Sequence, residues 1–308
     1  MKLINRRRFV GVGLGATMAL AGTAQDSQAP VEFARSEEFS EGPVFDYEGN
    51  FFFTHGRLVT RVAPNGSSAV WAATSGANGH KILPDGNHLL CVTGDRAIVL
   101  FDPTGKVIRP ASTECDGAPL RAPNDLTLDQ HGGFYFTDPG GSRDKPIGTV
   151  HYVDSSGVTH LVASGMWVPN GLVLSQDGRT LFVAETLPNR VVKFAVDGQG
   201  KLGALEEFAQ LPFREGHQPE PDGMALDTNG NLYVAHLGTS TVKVLAPDGS
   251  PLRTLPAGNY DASNLVFGGT DLNELYITGS TGHRSNTPGR VYRLNLADVT
   301  GVSSLRPR

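Results

Sequence analysis

The sequence predicts an all-β fold: a six-bladed β-propeller, with four-stranded blades around a central channel. Three observations carry this. Glycine takes 38 and proline 20 of the 308 positions, a glycine excess over the average of about 7% that calls for many tight turns. A short phrase, one polar residue followed by an apolar strand, an Asx-x-Gly turn and a second apolar strand, recurs six times. Its starts lie at positions 41, 78, 124, 170, 222 and 263, with gaps of 37, 46, 46, 52 and 41 residues. Four-stranded units at roughly 40–50 residues are the signature of a propeller.

The composition supports the same class. Hydrophobic residues make up 39%, enough for a packed core, and charged residues only 19%, too few for a coiled coil or long helical array. A pair of β-sandwiches would account for the strands but not for the shared phrase.

The N-terminus reads as an address. Asn5-Arg6-Arg7-Arg8-Phe9-Val10 opens a mild apolar run to Ala21, and small residues around Ala19-Leu20-Ala21 and Gly22-Thr23-Ala24 offer cleavage sites. A charged start, short apolar centre and small-residue exit make an export signal, here of the twin-arginine type. The expected signal is 1–24, extending to about 29, and the partner it implies is the twin-arginine export machinery. The expected location is periplasmic or secreted. The apolar run falls short of the roughly 20 residues needed to span a bilayer; an uncleaved anchor is the alternative. Removing Lys2, Arg6, Arg7 and Arg8 takes the formal charge from −5 to −9. Such an acidic chain gives no support to nucleic-acid binding or to stable membrane association after cleavage. Residues 25–37 form a leader or a closing strand, and 38–308 a single propeller domain.

The units follow in order. The first is Glu41-Gly42-Pro43-Val44-Phe45, the turn Asp46-Tyr47-Glu48-Gly49, and Phe51-Phe52-Phe53. The second runs from Asn78-Gly79-His80 through the turn Pro84-Asp85-Gly86-Asn87. The third is Asn124-Asp125-Leu126 to Phe134-Tyr135-Phe136, the fourth Asn170-Gly171-Leu172 to Leu181-Phe182-Val183. The fifth is Asp222-Gly223-Met224 to Leu232-Tyr233-Val234, and a weaker sixth starts at Ser263-Asn264. Asx-Gly turns supply the positive φ that hairpins demand. Further strand-like runs, Thr149–Val153 and Thr159–Val162, then Val242–Leu245 and Pro251–Leu255, bring each unit to about four strands.

The residue opening each unit is Glu41, Asn78, Asn124, Asn170, Asp222 or Ser263. In a propeller, equivalent positions surround one axis, so these oxygens are expected to converge at one end of the channel. Carboxylates and amide carbonyls, without cysteine or a histidine pair, suit a hard cation: Ca²⁺ first, with Mg²⁺ and Mn²⁺ less tightly held. The plain alternative is that such residues bond their own backbone in turns. That holds for one Asn-Gly but not for Glu41-Gly42-Pro43 within a set of four. Cys91 lies in the apolar run Leu89–Val92, where a buried free thiol is expected; a bridge to Cys115 is the alternative in an oxidising compartment. His55, His80, His217, His236 and His283 fall near strand ends or loops and read as packing or surface residues, with His236 the candidate for the channel. Trp71 reads as core or pocket wall, and Trp167 as a candidate for the cavity mouth.

The phrases Glu41-Gly42-Pro43-Val44, Pro123-Asn124-Asp125, Pro169-Asn170-Gly171-Leu172 and Pro221-Asp222-Gly223-Met224, with Gly133-Phe134-Tyr135-Phe136-Thr137-Asp138-Pro139, resemble the gluconolactonase/regucalcin (SMP-30-like) family of six-bladed propeller lactonases. The resemblance runs from about 38 to 298. It implies one divalent metal, with Zn²⁺ among the alternatives to Ca²⁺, held by Glu41, Asn170, Asp222 and Asn124. It also places Asn124 beside the substrate and makes Arg121 a substrate-binding candidate. Two departures stand out. Arg121 lies three residues before Asn124 where the animal members have two, and the loop Gly140–Lys145 lacks the glutamate those members carry.

The implied substrate is a small-molecule lactone, hydrolysed by water on a metal-polarised carbonyl, with Asp222 as proton acceptor and donor. No Gly-x-Ser-x-Gly elbow competes. The alternatives are a phosphotriesterase-like hydrolase on the same ring and a non-catalytic exported propeller that binds a ligand or protein. A strictosidine-synthase-like propeller is disfavoured by the full set of four.

Overall fold

The computed structural model describes residues 29–213, 220–282 and 287–305. The 1–24 export segment, His217 and His283 lie outside the described residues. No helix among the described residues is long and apolar enough to cross a membrane.

Six four-stranded antiparallel sheets form the blades. β1 (Val31–Ser36) comes first in the chain. Blade 1 is β2 (Ser40–Phe45), β3 (Phe51–His55), β4 (Leu58–Val62) and β5 (Ser68–Ala73). Blade 2 is β6 (Ala77–Ile82), β7 (His88–Val92), β8 (Ala97–Phe101) and β9 (Val107–Ser112). The short pair β10 (Glu114–Cys115) and β11 (Ala118–Pro119) leads to blade 3: β12 (Leu126–Leu128), β13 (Phe134–Asp138), β14 (Gly148–Val153) and β15 (Thr159–Met166). Blade 4 is β16 (Pro169–Leu174), β17 (Thr180–Glu185), β18 (Arg190–Ala195) and β19 (Glu206–Gln210). Blade 5 is β20 (Glu220–Leu226), β21 (Leu232–Leu237), β22 (Thr241–Leu245) and β23 (Pro251–Pro256). Blade 6 is β24 (Asp261–Gly268), β25 (Glu274–Ser280) and β26 (Gly289–Asn295), and its outer strand is β1. Val31 pairs with Arg293 and Ser36 with Gly289, so the start of the described chain closes the ring onto its last blade.

The turns follow their chemistry. Gly49, Gly86, Gly132, Gly178 and Gly230 all have positive φ. The aspartate before each takes up the loop's N–H groups: Asp46 Oδ1, for example, accepts from the amides of Glu48 and Asn50. Such Asx turns give a two-strand unit a local lock.

The core lies between the blades. Six apolar clusters form among the described residues, and each joins two successive blades. Successive side chains of a strand point to opposite faces. Phe51 and Phe53 therefore pack toward blade 6 while Phe52 packs toward blade 2. Likewise Leu89 and Cys91 face blade 3 while Leu90 faces blade 1. This is why the second strands read as unbroken apolar runs: both faces are covered. Cys91 and Cys115 are both free and buried.

Hydroxyls stitch the inner seams. Thr54 donates to the carbonyl of Asn78 (2.9 Å), Thr93 to that of Pro123 (2.8 Å), Thr137 to that of Asn170 (2.7 Å) and Thr186 to that of Pro221 (3.2 Å). Ser263 does the same across the closure, donating to the carbonyl of Ser40 (2.7 Å). At the far end of the channel, Val302, Ser303 and Ser304 cover a small void of about 60 Å³ beside Lys81. Val302 donates its N–H to Leu226 (2.8 Å) and joins the cluster between blades 4 and 5. Leu305 packs on the cluster between blades 1 and 2.

Candidate functional site

The unit-opening residues sit on the innermost strands, and a repeated irregularity aims them. Across Glu41–Val44 the strand takes three steps while its partner, Thr54–Phe52, takes two. The same extra residue occurs at Ala77–His80, Pro169–Leu172, Pro221–Met224 and Ala262–Leu265. Each is a β-bulge, which bends a strand and turns one side chain out of the alternation. In blade 3 the corresponding residues precede β12: the Asn124 amide donates to the Thr137 carbonyl, and Thr137 to that of Asp125.

The position after the opening residue explains itself sterically. A Cβ on Gly42 would lie 2.2 Å from the Asn78 carbonyl oxygen, and one on Gly79 2.6 Å from the Asp125 Cα. On Gly171 it would lie 2.3 Å from the Asp222 carbonyl oxygen, and on Gly223 2.1 Å from the Asn264 side chain. The inner strands approach too closely for any side chain there.

The result is a cavity of about 830 Å³ at one end of the channel, onto which Glu41, Asn78, Asn124, Asn170 and Asp222 all open. They come from five successive blades. Asn170 is 7% and Asp222 3% exposed, while Glu41, Asn78 and Asn124 are half-buried. Asn170 donates to Thr186 Oγ1 at 3.5 Å. Glu37 and Glu38 add carboxylates at the rim, with Phe39, Thr287 and Pro288. Among the described residues, no lysine, arginine or histidine lines this cavity. The sixth opening residue, Ser263, is fully buried and turned into the closure seam. A hydroxyl that short is satisfied by backbone, so the ring has five members at the cavity.

Arg121 is exposed and outside the cavity wall. Its amide donates to Asp138 Oδ2 (2.8 Å), and its guanidinium lies against Gly140. From the loop 140–145, Arg143 pairs with Glu220 at the start of β20, tying blade 3 to the strand that carries Asp222. His236 is buried and bonded to Asn189 Oδ1 through Nε2 (2.8 Å); burial pushes its pKa down to about 3, so it is a neutral packing residue. Trp71 stacks on His88 with ring centroids 4.3 Å apart, and Trp167 is half-buried, its amide held by Glu185.

Three features escaped the sequence reading. Asp125 and Asn264, in the glycine position of their units, meet below the ring, Asn264 Nδ2 donating to Asp125 Oδ2 at 3.3 Å; their offset from the glycine pattern was the available signal. Glu37 and Glu38 join the rim although they precede the first unit. Val168, directly before Pro169-Asn170, has φ +51°, a strained state for a β-branched residue. Its carbonyl accepts the Thr186 amide (3.1 Å), and the neighbouring Trp167 amide donates to Glu185 Oε1 (2.7 Å).

The donor set tests the fit to a cation. Two carboxylates and three amides on an acidic cavity are hard oxygen donors of the kind Ca²⁺ takes. Among the described residues, no three His, Cys, Asp or Glu side chains are placed to hold a metal ion by themselves, so any cation held here depends on the asparagine oxygens. The residues present fit an oxygen-coordinated divalent ion.

Comparison with known proteins agrees in extent and fold. The profile of the SMP-30/Gluconolactonase/LRE-like region matches residues 39–281. A gluconolactonase of Zymomonas mobilis is 29% identical over 278 residues, covering 79% of this chain and 77% of that protein. Lactonase drp35 of Staphylococcus aureus is 34% identical over 198 residues, 60% of this chain and 58% of that one. Among solved structures, a gluconolactonase of Xanthomonas campestris superposes with a TM-score of 0.75 at 26% identity, covering 87% of this chain and 89% of its own. A regucalcin of Agrobacterium tumefaciens, described as calcium-binding, shares the fold at 19% identity with a TM-score of 0.76, covering 91% and 97%. With a six-bladed ring and a family match over most of its length, this chain belongs to the SMP-30/gluconolactonase/LRE-like family.

Proposed function

We propose that the protein is a divalent-cation-dependent hydrolase that opens lactones, with Ca²⁺ as the first candidate and Mg²⁺, Mn²⁺ or Zn²⁺ as alternatives. One observation carries it: opening residues of five successive blades converge on one acidic cavity. The gluconolactonase and lactonase named above support the substrate class. Glu41, Asn124, Asn170 and Asp222 would hold the ion, which when bound supplies positive charge to polarise the ester carbonyl and offset the developing oxyanion.

The chain's own groups do the rest. Asn124, half-buried at the wall, orients the lactone through its amide. Asp222, 3% exposed, accepts the proton of the attacking water and returns it to the leaving alkoxide as the ring opens. The Thr186 bond to the Pro221 carbonyl and the close pass of Gly171 fix the backbone on either side of Asp222. Arg121 acts on substrate only by reaching the mouth from outside the wall. Export by a twin-arginine signal and a periplasmic or secreted location complete the reading.

The test uses glucono-1,5-lactone and a panel of γ-lactones. Chelation should abolish hydrolysis and cation addition restore it. Asp222→Ala should lower turnover at least 100-fold, the usual worth of a positioned acid–base group. Undiminished turnover by Asp222→Ala would remove it from the proton-transfer role, and metal-indifferent inactivity on every lactone would favour a binding platform.

A further inference from the structure

Below the ring of opening residues lies a second layer: Gly42, Gly79, Asp125, Gly171, Gly223 and Asn264, one from each blade. Four are glycines and two are polar. The two belong to blades 3 and 6, which face each other across a six-membered ring. Asn264 Nδ2 reaches Asp125 Oδ2 at 3.3 Å across 139 residues of sequence. Asp125 is 3% and Asn264 5% exposed. Each also closes the same local ring, Asp125 Oδ1 accepting the Leu126 amide and Asn264 Oδ1 the Leu265 amide, both at 2.8 Å. The bridge abuts the glycines around it: a Cβ on Gly79 would strike Asp125, and one on Gly223 would strike Asn264.

Among the described residues, the donors to the Asp125 carboxylate are two neutral N–H groups, the Leu126 amide and Asn264 Nδ2. A buried carboxylate whose hydrogen bonds come from neutral donors is costly to the fold. Asn124, next to it in sequence, opens onto the cavity above. We propose that Asp125 is a positioning residue for the cation: a third, outer carboxylate, clamped by Asn264, whose negative charge beneath the floor raises the affinity of the Glu41, Asn124, Asn170 and Asp222 set without touching the ion. This inference rests on the cation reading above.

The test is direct titration of Ca²⁺ by calorimetry, with thermal unfolding of the metal-free and Ca²⁺-loaded protein. Asp125→Asn keeps the size and removes the charge. It should weaken Ca²⁺ binding at least tenfold while the metal-free protein melts no lower than wild type, because a costly buried charge is gone. Asn264→Ala, which leaves the charge in place, should keep Ca²⁺ affinity within about threefold. A purely structural bridge would behave otherwise: both variants would lower the metal-free melting temperature and leave affinity alone, and that result overturns the proposal. Should Asp125→Asn fail to fold, Asn264→Asp asks the converse, and Ca²⁺ must then stabilise the variant more than wild type; equal stabilisation refutes the idea. Wild-type protein that binds none of Ca²⁺, Mg²⁺ or Mn²⁺ overturns the cation reading itself. Wild type that binds while Asp125→Asn binds equally well overturns this proposal alone.

Discussion

Gly171→Ala is a one-methyl change whose cost follows from two distances. The added Cβ would lie 2.3 Å from the carbonyl oxygen of Asp222 and 2.6 Å from the Cα of Gly223. Ordinary carbon contacts begin near 3.4 Å, so the inner strands of blades 4 and 5 must separate by about 1 Å. Both obstructing atoms are backbone, and Asp222 itself carries one of them, so no side chain can swing aside. Overpacking of this kind costs about 3 kcal/mol, at the upper end of the usual range. For a chain of this size that lowers the melting temperature by roughly 5–10 °C. It also moves Asp222, so Ca²⁺ should rescue less of the loss than it adds to wild type. The control is Gly198→Ala, in a surface turn with nothing within 4 Å of the new methyl, which should be neutral or slightly stabilising. Thermal unfolding of both variants, with and without Ca²⁺, decides the matter. A Gly171→Ala protein that melts with wild type would refute the argument that close strand approach, and not turn geometry, holds glycine there.

Thr137→Val keeps the shape but leaves the Asn170 carbonyl without its 2.7 Å donor; it should cost about 1–3 kcal/mol by denaturant unfolding and raise KM for a lactone more than a surface Thr→Val control. His88 is buried against Trp71, and burial lowers its pKa to about 4 although Asp102 pulls it upward. Its neutral form therefore contributes stability that is complete above about 6.5 and is lost as pH falls toward 4. The denaturant midpoint should drop across that window, and His88→Gln should make the drop shallower without abolishing it, because buried His80, His151 and His236 are shifted the same way. Deleting 302–308 removes the half-buried Val302 and Leu305, a loss of about 1–3 kcal/mol from their apolar burial; an unchanged melting temperature would show that the channel's far end needs no cover.

The blades were legible because their chemistry is local. Asp46-Tyr47-Glu48-Gly49 carries its own turn, and Phe51-Phe52-Phe53 its own strand, whatever surrounds them. The candidate ring was legible because rotational repetition maps Glu41, Asn78, Asn124, Asn170 and Asp222 to one axis. What escaped depends on which blade meets which. Asp125 and Asn264 are far apart in sequence and touch only because the ring has six members. Ser263 obeys the pattern yet turns away, because its short hydroxyl finds the Ser40 carbonyl across the closure. Glu37 and Glu38 reach the rim because β1 leads the chain back past blade 6 before blade 1 begins. Arg121 illustrates the converse: near Asn124 in sequence, it follows its backbone out toward the Gly140 loop.

The seam between Val31 and Arg293 governs the order in which the molecule can be made. On a ribosome, the strand that finishes blade 6 emerges first, and the three strands it completes emerge last. Until then blade 6 has no outer partner, and the apolar surface of Phe51 and Phe53 on blade 1 lacks its cover of Val266, Tyr276 and Val291. Closure of the ring must therefore wait for nearly the whole chain, a step of very long contact order. Linking residue 305 to residue 29 and reopening the chain between two blades would make every sheet continuous in sequence. Such a permutant would keep the cavity while losing the long-range closing step, and the difference would appear as a faster final folding phase.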